Sequence, residues 1–256
     1  VIGVLVSLLV GAAAGLAFYL PGSHHAVSGL IVWGLFGFIA SFIVLTRRAG
    51  KRVEPLMSEA QKHLQAGRLE KAVETLKLGF GPAKWHPLLP SQIHSQIGIL
   101  LYVAGKPDEA LPHLEKSSRF VWIAKAMLGC YWFKKKELQK MRGPFEAAVR
   151  SGKKESLAWT VYAHCLREGG DKDGAVAVLE RGTAALEKAK KEPDHRLTKN
   201  LELAKQGKPL KVSVYGEQWL QFRLDGKGGP MNRPRGPQLD PNHPALRGMR
   251  GKRMRM

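Results

Sequence analysis

Two apolar runs open the chain. VIGVLVSLLVGAAAGLAFYL (1–20) holds no charged residue, and AVSGLIVWGLFGFIASFIVLT (26–46) is nearly as apolar. Each is about 20 residues long, enough for a helix to cross roughly 30 Å of hydrocarbon. Only Pro21-Gly22-Ser23-His24-His25 separates them, a turn too short for a domain. The pair reads as a transmembrane helical hairpin (1–46) with both ends on one side. A secretory signal peptide is the rival reading of the first run; the basic leading region it needs is not seen. Gly11 and Gly15 form a GxxxG, and Gly37 and Ser41 repeat the small-xxx-small spacing that lets membrane helices approach closely.

Beyond the hairpin the pattern changes. A short basic linker (47–54) leads into apolar residues spaced three and four apart, broken at intervals by Gly or Pro. In SQIHSQIGILLYVAGKPDEALPHLEKSS (91–118), Ile93, Ile97, Leu100 and Leu101 fall at helical spacing. Gly105 and Pro107 break the run, and Ala110, Leu111 and Leu114 resume it. This is a helix–turn–helix hairpin. Comparable stretches occupy 57–79, 120–150 and 155–182. Their marker positions Ala72, Ala110, Met141 and Ala175 lie 38, 31 and 34 apart, and Lys136 stands where the others carry a turn glycine. Gly143-Pro144 suggests a late start or a kink in the second helix of the third hairpin. Residues 82–90, with three prolines, form a connecting loop.

The spacing Ile97-Gly98-x-x-Leu101 followed by Ala110-x-x-x-Leu114 resembles the tetratricopeptide repeat. The resemblance implies an all-α fold: a right-handed α-solenoid of about four helix pairs over 55–208. It also implies a ligand surface on the concave face, lined by the first helix of each pair. Projected onto this chain, that groove offers Ser95, Ile99 and Tyr102, then Ala126, Met127, Cys130 and Phe133, then Thr160, His164 and Arg167. The carboxylate clamp of the chaperone-adaptor members is absent, its positions reading Gln61, Gln96, Ile123 and Met127. An apolar helix or extended segment of a partner protein suits such a groove, with Tyr102, Met127 and Phe133 as anchors.

After the fourth hairpin, Asp194 can cap a short helix 195–206 that Gly207 ends, a helix suited to covering the last repeat. In the segment 209–225, Val212 and Val214 alternate as in a short strand. Tyr215, Trp219 and Phe222 supply aromatic anchors, either for packing on the solenoid or for docking a partner. The tail 226–256 is rich in Gly, Pro and Arg, with eight Lys/Arg against one Asp; it cannot bury a core and is expected to be disordered.

Charge sharpens this picture. The formal net charge is +20, and no Asp, Glu, Lys or Arg precedes Arg47. Arg47, Arg48, Lys51 and Arg52 follow the second apolar run at once. Basic flanks stay in the cytoplasm, which places the repeat domain and the C-terminus on the cytoplasmic side of a bacterial inner membrane. Those four residues, with Arg247, Arg250, Lys252, Arg253 and Arg255 of the tail, favour anionic lipid head groups. Nucleic acid fits the tail less well, because the tail has no aromatic side chain on which bases stack.

Catalytic chemistry finds no foothold. Nucleophile elbows, P-loops, Rossmann glycines, paired carboxylates and HExxH are all missing. Cys130 and Cys165 belong to no CxxC and are expected as free thiols; His24-His25 lacks further ligands; His164-Cys165 lacks an orienting carboxylate. No cofactor and no small-molecule substrate is implied. The expected function is a non-catalytic, membrane-anchored scaffold that serves a membrane complex as assembly factor or accessory subunit. The alternative is a membrane tether for RNA or ribosomes through the basic tail. The anchor-plus-repeat plan also resembles bacterial lipopolysaccharide-assembly regulators, whose C-terminal four-cysteine knuckle has no counterpart here.

Overall fold

A computed structural model describes residues 2–17, 26–189 and 194–224; all regular structure among the described residues is helical. Helix α1 (Ile2–Ala17) runs antiparallel to α2 (Ala26–Gln65), and the two backbones meet at glycines. A Cβ on Gly11 would fall 2.7 Å from the Gly34 carbonyl oxygen, and one on Gly37 2.8 Å from the Ala14 Cβ. Contact this close is of the kind that can hold two helices together where no hydrophobic drive exists between them.

Helix α2 has 40 residues, about 60 Å at 1.5 Å per residue. Among the described residues it is the one helix long and apolar enough to cross a membrane, while α1 is apolar but spans 16 residues. The stretch 47–54, expected as a linker, is helical throughout. Ala49, Val53 and Ala60 form a buried stripe along it, and Pro55 sits inside the helix without ending it. The far end of α2 is thus the first helix of the first pair.

Four pairs follow one another. They are α2 with α3 (Leu69–Leu78), then α5 (Leu89–Val103) with α6 (Pro107–Glu115). Next come α7 (Trp122–Lys134) with α8 (Leu138–Ser151), and α9 (Ser156–Glu168) with α10 (Lys172–Lys188). A single-turn helix, α4 (Phe80–Ala83), lies in the connector between the first and second pairs.

One turn geometry joins every pair. The first helix ends on a left-handed residue: Gly67 (φ 71°), Gly105 (φ 87°), Lys136 (φ 61°) and Gly170 (φ 95°). The next amide reaches back to the same carbonyl position each time, Arg68 to His63 (2.8 Å), Lys106 to Leu101, Glu137 to Trp132 and Asp171 to Leu166 (each 2.9 Å). This is the Schellman closure, which satisfies carbonyls that a helix end leaves open. Counted from the turn residue, a small side chain precedes by seven and a large one follows by nine: Ala60 and Leu76, Gly98 and Leu114, Gly129 and Phe145, Ala163 and Leu179. All four large ones are buried. The glycines matter because a Cβ on Gly129 would stand 2.7 Å from the Phe145 ring, and one on Gly98 2.8 Å from Leu114 Cδ2.

Helix α8 starts at Leu138, ahead of Gly143-Pro144, so there is no late start. Met141 and Phe145, both buried, hold the helix on its partner although Pro144 removes one amide from the ladder. Neighbouring pairs are tied by Arg181 to Glu146 (2.9 and 2.8 Å) and by Tyr131 Oη to Asp108 (2.9 Å).

Helix α11 (His195–Lys205) packs on α9 and α10 through fully buried Leu197. It ends with the same closure, Gly207 at φ 69° and Lys208 N–H to Leu203 O at 2.9 Å. It is therefore the first half of a fifth pair. Among the described residues no full-length second helix follows. Val212–Tyr215 form a 3-10 turn and Glu217–Leu220 a short helix, α12. The strand expected at Val212 and Val214 is overturned. The chain turns at Gly216 (φ 53°) between the 3-10 turn and α12, and Tyr215, Trp219 and Phe222 are all buried.

Candidate functional site

The first helices of the pairs line one face, and most of that face is filled by the chain itself. From α11 the segment 210–224 doubles back across the pairs toward the second one. The Tyr215 hydroxyl meets Thr160 Oγ1 of α9 at 2.8 Å. The Trp219 ring stands edge-on to His164 of α9, centroids 4.9 Å apart. Phe222 lies 6.3 Å from Trp122 at the head of α7, and its carbonyl accepts a 3.1 Å hydrogen bond from Tyr102 of α5. Arg223 donates to the Val103 carbonyl at 3.1 Å and lays its guanidinium over Gly105. Arg196 covers the outer side of Tyr215, 5.0 Å from the ring centre.

The residues projected onto a groove therefore separate. Tyr102, Thr160 and His164 touch the returning segment directly. Met127 and Cys130 are fully buried. Ser95 is interior as well: its hydroxyl donates to Ser91 O (2.8 Å) and accepts from Ser118 N–H (2.9 Å), fixing α5 to the chain that leads into α7. Ile99 and Phe133 are half-buried against the core. Arg167, half-buried, pairs with Glu168 at 2.8 Å and borders a cleft of about 460 Å³ between the fourth pair and Gly207. Tyr215, Trp219 and Phe222 are the residues that occupy the face. Trp122 and Arg223 also hold this arrangement and were not singled out from sequence; Trp122 precedes the apolar run of α7, and Arg223 carries an unfavourable φ of 53° that no sequence pattern announces.

Burial sets the electrostatics. It pushes the Tyr102 phenol well above its usual value. Burial, then a hydrogen bond with Cys130, does the same for the Cys165 thiol. Both cysteines are free and buried, and Cys165 is held in its protonated, unreactive form. Among the described residues no group of three or more His, Cys, Asp or Glu side chains is placed to hold a metal ion.

Among the described residues, one part of the face stays open. Beside the first pair, a cleft of about 680 Å³ runs between α2 and α5. Its apolar wall includes Met57, Leu64 and Leu100. Gln61, Gln92 and Gln96 add neutral amides that can pair with a backbone. Gln61 and Gln96 occupy the positions where the chaperone-adaptor pattern carries its charged clamp.

Of the basic candidates, Arg47, Arg48, Lys51 and Arg52 are exposed on α2 just past its apolar part. Arg247, Arg250, Lys252, Arg253 and Arg255 lie outside the described residues. In the hairpin, Gly11, Gly15 and Gly37 sit at the α1–α2 contact with Gly34 as an added member, and Ser41 Oγ bonds back to Phe38 O at 3.0 Å. No protein-family model matches the chain, and no curated protein matches it.

Proposed function

We propose that this protein is a non-catalytic scaffold of tetratricopeptide type, anchored in the inner membrane by a two-span hairpin, with its solenoid on the cytoplasmic side. Its task in this reading is to hold an apolar helix or extended segment of a partner protein close to the bilayer, as an assembly factor or accessory subunit of a membrane complex. The observation that carries the reading is the open cleft beside the first pair. It is the part of the face that residues 210–224 leave uncovered, and it lies on the same helix as the apolar stretch. Neutral amides above an apolar floor suit an uncharged backbone and disfavour a terminal carboxylate.

The test is photocrosslinking in native membranes. A photoreactive residue at Gln61 or Gln96 is expected to trap a discrete protein adduct, and one at the exposed Lys154 is not. Gentle detergent extraction should give a particle larger than the monomer. A lone monomer with no adduct at either glutamine overturns the reading.

A further inference from the structure

The connector between the first and second pairs reaches back toward the membrane hairpin. Its Trp85 backbone lies against Gly3 at the start of α1, with no room there for a Cβ. Pro82 and Trp85 face Leu45, Arg48, Ala49 and Arg52 of α2 across a cleft of about 240 Å³. This cleft sits at one level of the chain, the point where the apolar run of α2 ends at Thr46 and the basic run begins. Arg48 and Arg52 are four apart on a helix and so present their guanidiniums on one side. Among the described residues neither has a carboxylate partner. Leu45, on the near side of Arg48, faces the apolar part. Further along the hairpin, α1 and α2 enclose a second cleft of about 700 Å³ with an almost wholly apolar wall that includes Leu8, Ile31, Leu35 and Phe38.

We propose that the cleft between α2 and the connector is a binding site for one anionic phospholipid. Arg48 and Arg52 take the phosphate, a planar cationic fork being well matched to phosphate oxygens. The Trp85 indole packs on the glycerol and ester region, the depth at which tryptophan sits in membranes. The acyl chains run along Leu45 onto the apolar flank of the hairpin. The bound lipid thereby joins the connector to the anchor and fixes the first pair, with its open cleft, at the bilayer surface. The assignment rests on the membrane-anchored reading above, and it makes the connector a second membrane contact.

The experiment uses the full chain, extracted in neutral detergent and titrated with phosphatidylglycerol or phosphatidylcholine while bound lipid is counted by native mass spectrometry. The protein is expected to retain one phosphatidylglycerol in preference to phosphatidylcholine. The double variant R48Q/R52Q should lose that preference by roughly thirtyfold. W85A should weaken retention of both lipids, and soluble glycerol phosphate should not displace the bound one. R47Q/K51Q removes the same charge from outside the cleft and should keep the preference. Equal losses in both double variants, or none in either, overturn the site. An alkaline carbonate wash separates the two readings. Release of the chain from membranes sinks the anchor itself; retention without lipid preference sinks the site alone.

Discussion

The Tyr102 hydroxyl and the Phe222 carbonyl, 120 positions apart in the chain, are joined by a buried 3.1 Å hydrogen bond. It closes the C-terminal segment over the second pair, and it sets the first test. Y102F leaves the Phe222 carbonyl buried without its donor and is expected to cost about 1–2 kcal/mol. F222A empties a fully buried aromatic site and should cost about 3–4 kcal/mol. Amide hydrogen exchange should rise over 210–224 in both variants, and over α5 and α7 as well in F222A. Unchanged exchange over 210–224 in F222A would show that the segment does not depend on this contact.

The turns offer a graded series. Lys136 holds a φ of 61° that its neighbours in the repeat leave to glycine. K136G should raise stability by about 1 kcal/mol, and G170A, with open space around it, should lower it by about the same. G105A should cost more than G170A, because its methyl group would also press on the Arg223 guanidinium 3.2 Å away. Thermal unfolding of the solubilised full chain gives all three.

Asp194 caps α11, accepting from the Arg196 amide at 3.0 Å and from the Ser156 hydroxyl of α9. Burial pushes its carboxyl up. The Arg196 guanidinium, the Ser156 hydroxyl and the Arg196 amide outweigh that and hold it at about 2. A folded value below the unfolded 3.8 means that Asp194 stabilises the fold above pH 4 and that this is lost as pH falls from about 4 toward 2. With solvent screening the contribution is on the order of 1 kcal/mol. D194N keeps a capping side chain and should flatten that part of the acid limb. An acid-unfolding profile identical to that of the parent would contradict it.

His94 and His113 approach at 3.0 Å between Nδ1 atoms, joining α5 to α6, with the Phe80 ring tilted at 49° against the His94 ring, centroids 4.7 Å apart. Burial lowers both, assisted by the positive charge of Lys116 on His94, and of His94, Lys77 and Lys116 on His113. Their unfolded value of 6.5 lies above the folded ones, so the pair stabilises the fold when neutral, and protection is lost as pH falls below about 6.5. The protection factor over α6, which corrects the exchange rate for its intrinsic pH dependence, should fall between pH 7.5 and 5.5, and H113Q should flatten the trend.

The helix pairs were legible because their signals are local. Each Gly-to-Ala or Gly-to-Leu spacing acts within one hairpin, and the substituted Lys136 stood at the expected turn position. The late start at Gly143-Pro144 failed because Met141 and Phe145, buried on the core side, outweigh one missing amide. The strand at Val212 failed because the burial of Tyr215, Trp219 and Phe222, not the alternation of two valines, sets the path of this segment. That the aromatic segment packs on the helix pairs was one of the two readings open from sequence, but which residues it meets was not legible. Tyr102 looked like an anchor for a partner protein, and nothing local says that Phe222 is the group it meets. The linker at 47–54 misled because its charges advertise a surface while Ala49 and Val53 quietly continue a buried stripe.

That stripe has a mechanical consequence. Helix α2 is unbroken between Thr46 and Gln65, an arm of roughly 28 Å in which Pro55 removes one rung of the hydrogen-bond ladder. If α2 spans a bilayer as proposed, it answers a change in thickness by tilting, and the arm turns a small lean into a displacement of the first pair. The thickness and composition of the host membrane would then steer where the open cleft points.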